Sequence, residues 1–110
     1  MYISLGFYQC GIEVTMEKDI ERATRLALKK IGFLCLKQTC ETNIPDRLLL
    51  HPSGVIAFCE FKYGRNKLSD GQKAYKKKLE KLGFTVLVAY DKKTVIDWAN
   101  AQIKKVSKKS

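Results

Sequence analysis

The amino-acid sequence predicts one α/β domain, a central mixed β-sheet with helices on its faces. Three observations predict it. Helical and strand-like apolar patterns follow one another in the order helix, strand, strand, strand, helix, strand, helix. Glycines and a capping motif close those patterns at their ends. The chain has 110 residues, 45% of them hydrophobic and 10% aromatic, which builds one core and not two.

The elements follow in order. Residues 1–14 are apolar and aromatic without helical period (Tyr2, Ile3, Leu5, Phe7, Tyr8), and read as an extra strand or as a pairing surface. Thr15 can cap a helix reaching about Ile31, with Met16, Ile20, Ala23, Ala27 and Ile31 as its apolar stripe. Lys18, Arg22, Arg25 and Lys29 fall on the opposite face, and Gly32 stops the helix. Residues 33–37 read as a strand and 38–45 as a polar turn. Residues 47–50 form one arm of a hairpin that turns at His51-Pro52-Ser53-Gly54, and residues 55–62, with a central strand's composition, form the other. A basic loop over 63–68 leads to Ser69-Asp70-Gly71-Gln72, which fits the capping box S/T-x-x-E/Q. That box opens a helix to about Leu82, stopped by Gly83. Residues 84–90 are apolar almost throughout, as in a strand buried on both faces. A turn at Asp91-Lys92-Lys93 starts a last helix over about 94–104, and the basic tail 105–110 is expected to fray.

Composition narrows the function classes. The formal net charge of +10 favours polyanions, nucleic acid or an anionic membrane surface. No run approaches the roughly 20 apolar residues that span a bilayer, and no signal peptide opens the chain, so the expected compartment is the cytoplasm. Cys10, Cys35, Cys40 and Cys59 lack CxxC spacing and partner histidines, which argues against zinc and for reduced thiols.

The chemistry concentrates in the hairpin. Side chains on a strand alternate faces, so Glu60 and Lys62 share one face at the end of their arm. Asp46 starts the other arm, which an antiparallel hairpin brings beside Glu60, and Pro45 fixes the chain's entry. Each piece alone reads more readily as structure: a solvated ion pair for Glu-x-Lys, a turn for Pro-Asp. Together they suit a hard divalent ion, Mg²⁺ with Mn²⁺ often accepted, held by oxygen ligands. Such an ion polarises a phosphodiester and activates water, and Lys62 could orient that water or offset the developing charge.

Pro45-Asp46 followed by Glu60-Phe61-Lys62 resembles the PD-(D/E)xK nuclease signature. The later Leu68-Ser69-Asp70-Gly71-Gln72 and Leu82-Gly83-Phe84-Thr85-Val86 make the ordered set similar to the virus-type replication-repair nuclease (VRR-NUC) domain, from about Met16 to Tyr90. The resemblance implies a restriction-endonuclease-like fold and a metal-dependent endonuclease acting on branched or flapped DNA. It implies Asp46, Glu60 and the Phe61 backbone carbonyl as metal ligands, with Lys62 catalytic and Gln72 at the site's edge. It also implies a first-helix glutamate. Similarity to Holliday-junction resolvases places that residue about three turns before the terminating glycine, which ranks Glu21 above Glu17. A virus-encoded protein acting in the host cytoplasm fits the same likeness.

Arg65, Lys67, Lys73, Lys76 and Lys77, with Lys62 and Lys78, make the expected surface for DNA phosphates. His51, at the far end of the hairpin, and Trp98, on the last helix, read as structural. The apolar start of the chain suggests a homodimer acting on four-way junctions. The rival readings are a non-catalytic basic nucleic-acid-binding module of the same shape, a flap-type nuclease and, more weakly, a restriction-type enzyme.

Overall fold

The computed structural model describes residues 17–39 and 41–109, with the side chains of 107–109 set aside. The expectations for residues 1–14, Thr15, Met16, Cys10 and Cys40 lie outside the described residues. Within them the order is α1 (Glu17–Lys30), β1 (Leu34–Lys37), β2 (Arg47–Leu50), β3 (Ile56–Phe61), α2 (Asp70–Lys81), β4 (Thr85–Ala89) and α3 (Lys92–Lys109). That is the predicted sequence of elements.

The four strands form one sheet in the order β1-β2-β3-β4. β1 and β3 each pair antiparallel with β2, and β3 pairs parallel with β4. The parallel pair requires a crossover, which α2 provides. The sheet is therefore mixed, and β3 is central, as its composition suggested.

Alternation along the strands separates two faces. Leu49, Ala57, Cys59, Phe61 and Ala89 point to one face and are buried against α1 and α3, where Leu28, Val95 and Ala99 complete the core. The other face carries Leu34, Leu36, Leu48, Leu50, Ile56, Phe58 and Glu60, with Val86 and Val88 from β4 in register. Here α2 packs on β4. Leu34 and Leu36 stay 56% and 41% exposed, and Ile56 and Phe84 are exposed beside them.

Two expectations need correction. The buried line of α1 runs through Thr24 and Leu28, with Ile20 and Ile31 partly buried, while Ala23 is exposed. Ile20, Ala27 and Ile31 of the predicted stripe are partly buried, but Thr24 stands in the core in place of Ala23, its hydroxyl donating to the Ile20 carbonyl at 2.7 Å. A polar residue so satisfied stays in the core without a desolvation penalty. The second correction is the tail. The last helix, expected over about 94–104, spans Lys92–Lys109. No glycine or proline interrupts residues 91–109. Asp91 caps the start, accepting from the Thr94 N–H at 2.8 Å and its hydroxyl at 2.7 Å. Those bonds hold the Asp91 carboxyl below its ordinary value.

Among the described residues no helix is long and apolar enough to cross a membrane. Cys35 and Cys59 are free thiols, and burial pushes both up from the ordinary thiol value.

Candidate active site

The β2–β3 hairpin builds the site by register. Arg47 pairs with Cys59, so the preceding residue, Asp46, lies opposite Glu60 on the face shared with α2. Its backbone is fixed from both sides. The Asp46 N–H donates to Oε1 of Glu60 at 3.2 Å, and its carbonyl accepts from the Gln38 N–H at 2.8 Å. Pro45 is buried immediately before it. Glu60 itself is only 4% exposed. Lys62 follows on the same face, with Nζ 3.8 Å from Oε2 of Glu60. Its N–H donates to the Ala89 carbonyl at 2.9 Å, which carries the β3–β4 pairing one residue past β3.

Burial pushes the Glu60 carboxyl above its ordinary value, and the neighbouring Asp46 charge adds to the effect. The Asp46 N–H and Lys62 oppose the shift, and the charge of Glu17 adds weakly to it. A buried carboxylate left short of positive charge beside a second carboxylate suits a divalent cation. Among the described residues, no group of three or more His, Cys, Asp or Glu side chains could hold a metal ion. Asp46 and Glu60 thus bring two carboxylates to one end of the hairpin. This all-oxygen donor set fits a hard divalent ion.

The two glutamates of α1 diverge. Oε2 of Glu21 accepts from Nε of Arg47 at 2.6 Å, with both side chains largely buried. Arg47 shares the Cys59 face, so this pair lies under α1, across the sheet from Glu60. The hydrogen bond to Glu21 raises the Arg47 guanidinium above its ordinary value. Glu17, at the first turn of α1, instead accepts from Nδ2 of Asn66 at 3.4 Å, in the loop that follows Lys62.

Gln72 completes the capping box expected of it and also faces the cleft beside Glu60. The capping box is complete: the Gln72 N–H donates to Oγ of Ser69 at 3.1 Å, and the Ser69 N–H donates to Oε1 of Gln72 at 2.9 Å. Gln72 also lines a small cleft with Asn43, Pro45, Glu60, Leu68 and Lys76. Arg65 and Lys67, in the loop 63–68, and Lys73 and Lys77, on α2, are exposed. Lys76 is engaged, donating to Oε2 of Glu80 at 2.9 Å. Lys78 lies over the Tyr75 ring, 5.3 Å from its centroid. His51 sits at the opposite end of the hairpin, its ring 4.8 Å from that of Phe33 and its Nδ1 2.7 Å from Oγ of Ser53. Trp98 packs at the core, 6.1 Å from Phe33.

Sequence reasoning missed Arg47, Asn66 and Tyr90. For Arg47 a signal existed: alternation places it opposite to Asp46, on the covered face, where a guanidinium needs an acid. Asn66 and Tyr90 left none, because their bonds join segments far apart in sequence.

No family model matches the chain, and no curated protein matches it. A solved structure described as "VRR_NUC domain" aligns with a TM-score of 0.71 at 26% identity, over 79% of this chain and 97% of that one. In fold as in its ordered motifs, the chain is therefore similar to the VRR-NUC domain, a nuclease-type domain of restriction-endonuclease-like α/β architecture.

Proposed function

We propose that the protein is a metal-dependent endodeoxyribonuclease whose site is Asp46, Glu60 and Lys62. The observation that carries this reading is the buried Glu60 carboxylate with the Asp46 N–H on one oxygen and Lys62 near the other. Asp46, Glu60 and the Phe61 carbonyl would hold Mg²⁺ or Mn²⁺, which when bound polarises the phosphodiester and makes water a better nucleophile. In hydrolysis, water adds to phosphorus and one bridging P–O bond breaks, leaving a phosphate end and a hydroxyl end. The Lys62 ammonium, held beside Glu60, orients that water and offsets negative charge on the phosphoryl oxygens. Gln72, at the cleft, holds a water or a phosphate oxygen.

Of the two α1 carboxylates, we assign Glu17 to the site and Glu21 to anchoring Arg47. This reverses the ranking from the sequence, because Glu21 is committed across the sheet and Glu17 reaches the loop beside Lys62. Arg65, Lys67, Lys73, Lys76 and Lys77 would carry the duplex through its phosphates, which positions DNA without reading bases. Lys76 would have to exchange Glu80 for phosphate. Selectivity then falls to DNA shape, and branched DNA such as a four-way junction, cut by a homodimer, is the substrate that fits best.

The test is nicking of labelled junction DNA with Mg²⁺ or Mn²⁺, with and without chelator. Cleavage is expected to need the metal and to vanish in Glu60→Gln and Lys62→Ala proteins that still bind DNA. Cutting that survives in Glu60→Gln would remove the site assignment. The rival reading, a non-catalytic binding module of the same shape, would bind the same DNA and never cut it.

A further inference from the structure

The loop 63–68 joins Lys62 to the Ser69 cap, and the structure pins it at one residue from two sides. Within the loop, the Asn66 N–H donates to the Tyr63 carbonyl at 3.1 Å, closing a turn that Gly64 allows with φ +62°. From β4, the Tyr90 hydroxyl donates to the Asn66 carbonyl at 2.6 Å. Toward α1, Nδ2 of Asn66 donates to Oε2 of Glu17 at 3.4 Å. Parallel pairing of Phe61 with Ala89 places Tyr90 beside Lys62. Asn66 thus joins the strand end next to Lys62 to the first turn of α1.

We infer that Tyr90 and Asn66 are positioning residues: Tyr90 fixes Asn66, and Asn66 keeps the Glu17 carboxylate at the loop that follows Lys62, from where it joins Asp46 and Glu60 only when a divalent ion binds. The inference rests on the nuclease reading above. A carboxylate on the first residue of a helix has rotamer freedom and solvent on several sides, and ordering it costs entropy. A donor held in place by a second hydrogen bond reduces that cost, as outer partners do for metal ligands generally. A hydrogen bond that merely tied down the loop would have no reason to act through Glu17.

A double-mutant cycle separates the two cases. The probe is Mn²⁺ alone, its free fraction read by electron paramagnetic resonance with the full chain. Tyr90→Phe keeps the ring and removes the hydroxyl. It is expected to weaken Mn²⁺ binding about tenfold, the lower end for groups that orient a ligand. In a Glu17→Gln background the same change is expected to do nothing, because Asn66 then has no charge to hold. Asn66→Asp, which replaces the donor with a repelling carboxylate in an exposed turn, is expected to weaken binding at least as much. An equal Tyr90→Phe effect in both backgrounds, or none in either, overturns the latch while leaving the nuclease reading in place. Wild-type protein that binds no Mn²⁺ and cuts no DNA overturns both.

Discussion

Glu60, in the site proposed above, sits where it costs the fold stability. A carboxylate that is 4% exposed and faces a second acid is destabilised in its charged form. Because its folded value is raised, the stability it contributes is complete below the ordinary value of 4.5 and is lost as pH rises through the raised value. At neutral pH without metal, Glu60→Gln is therefore expected to melt a few degrees above wild type, and the gap should close below pH 4.5. Calorimetry across that range, with saturating Mg²⁺ in a parallel series, checks this: metal should reverse the order by stabilising wild type alone. A variant that melts lower than wild type at neutral pH would mean that Glu60 is satisfied by its neighbours and needs no cation. The α1 glutamates give a second contrast. Removing the Glu21 charge leaves Arg47 largely buried without its partner, which typically costs about 1–3 kcal/mol. Glu21→Gln should thus lower the melting temperature and spare cleavage in the protein that stays folded, while Glu17→Gln should do the reverse and slow cleavage about tenfold or more. Glu21→Gln protein that is fully stable but inactive would restore the ranking drawn from sequence.

Elements made by local chemistry were legible in the sequence. The Ser69-x-x-Gln72 box, the hairpin turn at residues 51–54 and the two apolar arms beside it each depend on near neighbours, and each is present. Because hairpin register follows from the turn, the meeting of Asp46 with Glu60 was legible too. The buried face of α1 was legible only in part. Ile20, Ala27 and Ile31 belong to it, but Thr24 takes the place of Ala23, which rests on a threonine hydroxyl finding the Ile20 carbonyl. The partner of Arg47 and the bonds of Asn66 were hidden for the same reason: they form only when α1, β2, β4 and the loop 63–68 are packed. At this scale the capping box separates stability from catalysis. Ser69→Ala removes the hydroxyl that accepts from the Gln72 N–H, about 1 kcal/mol, and should lower the melting temperature by about 4 °C. The Gln72 side chain stays on the Ser69 backbone N–H, so the cleavage rate should change less than twofold. Gln72→Ala loses its place in the cleft as well and should slow cleavage further. Equal rates for the two variants would reduce Gln72 to a cap.

The whole molecule joins a strongly cationic surface to an open apolar one. A net charge of +10 on so small a chain makes counterion release a dominant source of DNA affinity. Binding to uncut junctions in Ca²⁺ should therefore weaken with a log–log salt slope of roughly −5, as for six phosphate contacts. A flat slope would move the DNA off the lysine-rich side. The apolar surface points to assembly. One face of the sheet is covered by α1 and α3, but on the other α2 packs on β4, leaving Leu34, Leu36 and Ile56 exposed on β1 and β3. Like charges keep two copies of this protein apart everywhere except at such a neutral patch, and a two-fold axis through it would let one surface serve both partners. A dimer would carry two sites, and a four-way junction needs two symmetric nicks to be resolved. Light scattering at micromolar concentration is thus expected to give twice 12.6 kDa, with matched junctions cut faster than flaps or linear duplex. Leu34→Lys, which places charge on the patch without touching the site, should yield monomers that still nick but no longer make paired cuts. A wild-type mass of 12.6 kDa, or equal cutting of all three substrates, would defeat the dimeric junction reading and favour a monomer that cuts flaps.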